Sequence, residues 1–236
     1  MESKDNTFIE AITLSFRYFI ESGSSRSTAK LKPLHGTIAH DLASRLGSDY
    51  LIKAQGYDDD KEAEIMGRYI NKKVDITIMR DNNPVAGIGV KFVMQNYSQN
   101  SNNYFENMLG ETANIRANSF LYFQVFIILD RMPYYNTEKK ITRWETFTKH
   151  NVSKYITLSH DNIMRNLHSP NKTLIYLIHI PDCGALTTKD EYRNFYNSAD
   201  IKITLSNSLS NHFGESVIYN DYHSFINKVY HSILAL

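Results

Sequence analysis

Residues 72–94 read KKVDITIMRDNNPVAGIGVKFVM, and the periodicity of this stretch decides the fold. Val74, Ile76 and Ile78 alternate with Asp75, Thr77 and Met79, the period of a strand with two unlike faces. Asp81-Asn82-Asn83-Pro84 is turn chemistry, and the strand pattern resumes at Val85, so the segment predicts a β-hairpin. On the second strand Gly87, Gly89 and Lys91 share one face and Ile88, Val90 and Phe92 the other. With the turn at Asn82, Asn83 and Pro84, opposed residue numbers sum to about 166, and any slip changes the pairing. Asp75 is then expected to face Lys91 at roughly 5 Å. A carboxylate in mid-strand opposes β-propensity and costs desolvation unless it has a partner. The glycines predict an open surface beside both charges.

Outward from the hairpin, helices are expected near residues 6–20 and 34–46, separated by a Ser-rich connector over 21–32. Strands are expected over residues 50–56 and 62–80, the latter broken near Asn71, then over 85–94. The polar run 95–103 reads as a loop and 104–116 as a helix. Residues 120–129 and 173–180 are nearly continuous apolar runs, the pattern of strands covered on both faces. Residues 141–156 and 221–234 read as helices. Strands alternating with helices predict one α/β domain, residues 1–236, with a central mixed β-sheet flanked by helices.

Of the 236 residues, 42% are hydrophobic and 22% charged, which excludes a disordered chain. A net charge of +1 excludes a strong global field toward nucleic acid or anionic lipid, but leaves room for a local basic cleft. The single cysteine, Cys183, excludes a disulfide framework and a Cys-rich zinc site. Glu10, Arg17 and Glu21 interrupt the first apolar run, which is no secretory signal, and the run 120–129 is too short to span a bilayer. A soluble, cytoplasmic protein without membrane contact is expected. The chain carries no G-x-S-x-G elbow and no phosphate-binding Walker loop, and Gly87-Ile88-Gly89 lacks the third glycine of a dinucleotide fingerprint. His40, His150 and His160 lack ligand spacing, so a metal site here is expected to be all oxygen.

The segments KKVDITI, GIGVKF and NYSQNSNNYFENMLGETANIR together resemble the PD-(D/E)XK nuclease superfamily, type II restriction endonucleases in particular. The resemblance covers about a quarter of the chain. It implies a restriction-endonuclease-like fold and Mg²⁺-dependent hydrolysis of double-stranded DNA. It further implies a homodimer matched to a palindromic site and a companion DNA methyltransferase. Asp75 and Lys91 match the catalytic acid and lysine. Gly89 departs from the pattern, which wants a carboxylate two residues before the lysine.

Some relatives supply that acid from the next helix, where this chain has Glu106 and Glu111. Chain spacing narrowly favours Glu106, whereas Glu111 sits at the edge of the apolar stripe; Glu64 is a third candidate. Asp75 with Glu106 or Glu111 would hold Mg²⁺, which polarises phosphate and acidifies water, and Lys91 would orient that water. Two plainer readings stand beside this one. Asp75 and Lys91 can be a cross-strand ion pair, leaving a non-catalytic nucleic-acid-binding domain, or the chain can be a repair or junction-resolving nuclease.

Overall fold

The computed structural model describes residues 4–23, 29–209 and 212–236. Residues 24–28 of the expected Ser-rich connector lie outside them, whereas its two ends belong to the helices on either side.

The chain opens with α1 (Lys4–Ser22) and α2 (Lys32–Leu46), then β1 (Tyr50–Ala54). Next come a short ribbon of β2 (Ala63–Met66) and β3 (Asn71–Val74), the hairpin β4 (Ile76–Arg80) and β5 (Asn83–Val93), and α3 (Tyr97–Arg116). Then follow β6 (Leu121–Leu129), a second ribbon of β7 (Arg131–Tyr135) and β8 (Ile141–Thr146), α4 (Lys149–Ser159) and β9 (Lys172–His179). The chain closes with α5 (Lys189–Ser198), β10 (Thr204–Leu205), β11 (Val217–Tyr219) and α6 (Tyr222–Leu234).

The central sheet runs β1-β4-β5-β6-β9, antiparallel up to β5 and parallel from β5 through β9. At its far edge β10 pairs antiparallel and β11 parallel with β9. The fold is therefore α/β with a mixed sheet flanked by helices, as the alternation of patterns predicts. Both apolar runs are central strands; from Tyr122 every residue of β6 is buried. On one sheet face Phe8 of α1 stacks on Tyr222 of α6 at 4.0 Å and meets Tyr176 of β9 edge-on. On the other face Phe126 of β6 packs on Tyr155 of α4, which also touches Phe105 of α3. No helix among the described residues is long and apolar enough to cross a membrane.

Two segments differ from expectation. Residues 141–146 form a strand and not the start of a helix, because they pair with β7, and Trp144 is pinned by the Arg131 guanidinium at 4.4 Å. The helix begins only after Thr148, whose capping box with Asn151 marks its start. Residues 97–103 are not a loop but the first turns of α3. Their polar groups find partners: Lys154 donates to the Ser101 carbonyl at 2.8 Å, and the Ser98 hydroxyl and amide both donate to Glu145. Tyr97 anchors this end, edge-on to Phe147 at 5.2 Å.

The start of α2 is pressed against the connection after β1. A Cβ on Gly36 would lie 2.4 Å from the Gly56 carbonyl oxygen, and one on Gly56 would lie 2.2 Å from that of Lys32. Only paired glycines allow this backbone approach, and Gly56 also needs its φ of +78°.

Candidate active site

The hairpin exists, but its register is not the expected one. Asp81 and Asn82 both adopt left-handed backbone, φ 51° and 61°, so two residues close the turn and Arg80 pairs with Asn83. A bulge at Val85 follows, and Ile78 pairs with Ala86 and Ile76 with Ile88. One step further, Asp75 falls opposite Gly89. Lys91 shares the face but lies a pair beyond, so the expected direct pairing of Asp75 with Lys91 is wrong. The Lys91 ammonium sits 4.6 Å from the centre of the Tyr104 ring instead.

Asp75 lies where the chain leaves the β2–β3 ribbon and enters the central sheet. Its Oδ2 accepts a hydrogen bond from the Val90 amide at 2.7 Å, which fixes the carboxylate beside β5. Burial pushes this carboxyl up to about 6, and the charge of Glu111 adds to the rise. The Val90 bond, Lys91 and Lys72 oppose it.

Gly89 borders an open cleft with Asp75 and Lys91, as expected, but the space directly over it is filled. A Cβ on Gly89 would come within 2.6 Å of both the Tyr122 hydroxyl and the Gln124 amide, which lie over it from β6. That is why no acid stands at 89: its place is filled by a neighbouring strand. The Tyr122 hydroxyl in turn donates to Glu111, and Lys72 pairs with the other Glu111 oxygen at 2.9 Å. Glu111 is thereby held by the same hydroxyl that a side chain at 89 would strike. Gly89→Asp is expected to destabilise the fold by about 1–3 kcal/mol, the usual cost of overpacking a filled site. Urea unfolding measures this; a Gly89→Asp variant as stable as the parent would mean that Tyr122 and Gln124 yield easily.

Asp75, Lys91, Glu106, Glu111, Lys72 and Gln124 line a single cleft of about 670 Å³. Within it the two candidate helix acids differ. Glu111 is half-buried and its charge reaches both Asp75 and Lys91. Glu106 is exposed, and the ammonium that feels it is Lys154. Glu64, exposed and paired across the ribbon with Lys73, is not part of the cleft lining. Burial lowers the Lys91 ammonium, and the charges of Asp75 and Glu111 hold it up. Lys30, almost completely covered, is lowered to about 8 by burial and then by the nearby Lys91 charge.

Two residues that sequence reasoning passed over complete the surroundings of Asp75. His35, in the first turn of α2, and Glu62, just before β2, have ligating atoms within 4.8 Å of each other and of an Asp75 oxygen. Burial holds His35 down near 4, so its imidazole is neutral. Burial, then the charge of Asp75, pushes the Glu62 carboxyl up. His35 was invisible because it reaches Asp75 only through the tertiary approach of Gly36 to Gly56.

Comparison with protein-family models, with curated proteins and with solved structures gives no match for this chain.

Proposed function

We propose that this chain is a Mg²⁺-dependent, sequence-specific endonuclease of double-stranded DNA, with the restriction-endonuclease-like fold of the type II enzymes. The observation that carries this reading is the meeting of Asp75, Glu111 and Lys91 in one cleft, two carboxylates and an ammonium from three separate elements. A sheet that is antiparallel through β4–β5 and then parallel to β6, with α3 as the crossover, supports it further.

The residues fit a hard divalent cation. Both acids offer oxygen donors, and the Lys72 ammonium already rests on Glu111 where positive charge is wanted. Burial and the Glu111 charge raise the proton affinity of Asp75, and a cation bound between the two acids would offset both effects. Held by Asp75 and Glu111, Mg²⁺ would polarise the scissile phosphate and acidify water.

The protein's own groups do the rest. Lys91 orients the attacking water and neutralises charge that develops on the phosphate oxygens. Tyr122 and Lys72 hold the Glu111 carboxylate in one orientation, as outer partners of metal ligands do. The Val90 amide does the same for Asp75. Lys30 adds positive charge near Lys91 for a polyanionic substrate. A homodimer on a palindromic site, with a methyltransferase protecting the host's own sites, is the setting this reading implies.

Long mixed-sequence DNA incubated with Mg²⁺ is expected to give discrete bands. A smear would favour a repair or junction-resolving nuclease, and intact DNA a non-catalytic binding domain. Ca²⁺ should support binding without cleavage, since its looser geometry does not place the water. Undiminished cutting in EDTA would overturn the metal-dependent mechanism.

A further inference from the structure

Three side chains with ligating atoms meet at Asp75. His35, Glu62 and Asp75 come from three separate segments, yet their ligating atoms all lie within 4.8 Å of one another. His35 is 2% exposed, and neither ring nitrogen has a hydrogen-bond partner among the described residues. An imidazole buried in this way gives up its water contacts without replacement unless something else uses its lone pair. Each carboxylate has one oxygen tied back: Gln55 donates to Glu62 Oε1 at 2.9 Å, and the Val90 amide to Asp75 Oδ2 at 2.7 Å. Such bonds orient ligands and leave the second oxygen for an ion. The backbone approach of Gly36 to Gly56 keeps the first turn of α2, and His35 with it, against this spot.

We propose that His35, Glu62 and Asp75 bind a divalent transition-metal ion of the Mn²⁺ type, sharing Asp75 with the cleft. Only the role of Asp75 as a ligand toward DNA rests on the nuclease reading; the other two ligands stand without it. One imidazole nitrogen beside two carboxylate oxygens suits Mn²⁺, Co²⁺ or Zn²⁺, whereas Mg²⁺ prefers oxygen and retains its waters. Mn²⁺ and Mg²⁺ are therefore not interchangeable here. Mn²⁺ takes the site with the histidine through the Asp75 oxygen that Val90 leaves free.

The test uses the full chain, stripped with chelator and given Mn²⁺ alone, without DNA. Pulsed electron paramagnetic resonance of bound Mn²⁺ is expected to show coupling to an imidazole nitrogen, and His35→Gln to remove it. Calorimetric Mn²⁺ affinity should fall at least about tenfold in His35→Gln and in Glu62→Gln, since even outer partners of ligands contribute that much. Glu111→Gln should keep the nitrogen coupling. Bound Mn²⁺ without nitrogen coupling, or unchanged affinity in both variants, overturns the site. If His35→Gln does not fold, the parent spectrum and the Glu62→Gln affinity still decide. Nitrogen-coupled Mn²⁺ in a protein that cuts no DNA refutes the nuclease reading and leaves this site standing. Cutting without nitrogen coupling does the reverse.

Discussion

Glu111→Gln is expected to lower DNA cleavage by at least about 10²-fold, because a direct metal ligand is worth more than the outer partners whose loss costs 10–100-fold. Glu106→Gln should change it by about twofold or less, the scale of an exposed substitution worth half a kcal/mol. The contrast follows from what each acid touches. Glu111 is gripped by Tyr122 and Lys72, and its charge reaches Asp75 and Lys91. Glu106 shares the cleft wall but is exposed, with Lys154 as its charged neighbour. Gln retains the size of Glu and can still accept from Tyr122, so DNA binding should survive in both variants. Single-turnover cleavage with gel-shift binding measures both quantities. Equal responses, or a larger loss at 106, would remove Glu111 from the site.

Asp75→Asn should abolish cutting and at the same time stabilise the metal-free protein near neutral pH. The folded carboxyl titrates at about 6 rather than at its ordinary 3.8. Between those values the folded state binds more protons than the unfolded one, so stability falls as pH rises. The contribution is fully present below about pH 4 and is lost once pH passes 6. Asn carries no charge to desolvate and can still accept the Val90 hydrogen bond. The difference in thermal midpoint between the Asp75→Asn variant and the parent, in EDTA, should grow from pH 4 to 6 and then level off. Cleavage with Mg²⁺ should drop by at least about 10²-fold, as expected when a charged ligand is lost. A variant that is less stable than the parent at pH 7.5 would mean that the Asp75 charge is satisfied without a cation.

How much of this was legible in the chain depends on how local each signal is. The alternation at 74–79 and the apolar runs at 120–129 and 173–180 report burial directly, and these strands lie where the patterns put them. The register was not legible, because Asp-Asn closes the turn in two left-handed residues and the bulge at Val85 then shifts the pairing. The start of α3 was hidden by polar composition; Ser98 and Lys154 tie it down through contacts far away in sequence. In β8, Ile141, Trp144 and Glu145 mimic helical spacing, and only pairing with β7 makes them a strand. At the site, Asp75, Lys91 and both glutamates could be named from motif and spacing. The choice between the glutamates needed Tyr122, which enters through a parallel pairing no local pattern announces. His35 and Glu62 needed a backbone crossing that is visible only in three dimensions.

The stack of Phe8 on Tyr222 also sets a timetable. Asp5 accepts the Tyr222 amide across a separation of 217 residues, and Tyr222 reaches back to Asp41 with its hydroxyl at 2.9 Å. At ribosomal rates of about 5–20 residues per second, the first helix therefore waits on the order of 10–40 s for the partner that buries its aromatic face. Contacts of such long separation form late and close large loops. Until α6 forms, β9 lacks the cover that Tyr222 and its helix provide. Residues 222–234 therefore join α1 and β9 as one of the later steps of folding, long after the hairpin of β4 and β5 can pair locally.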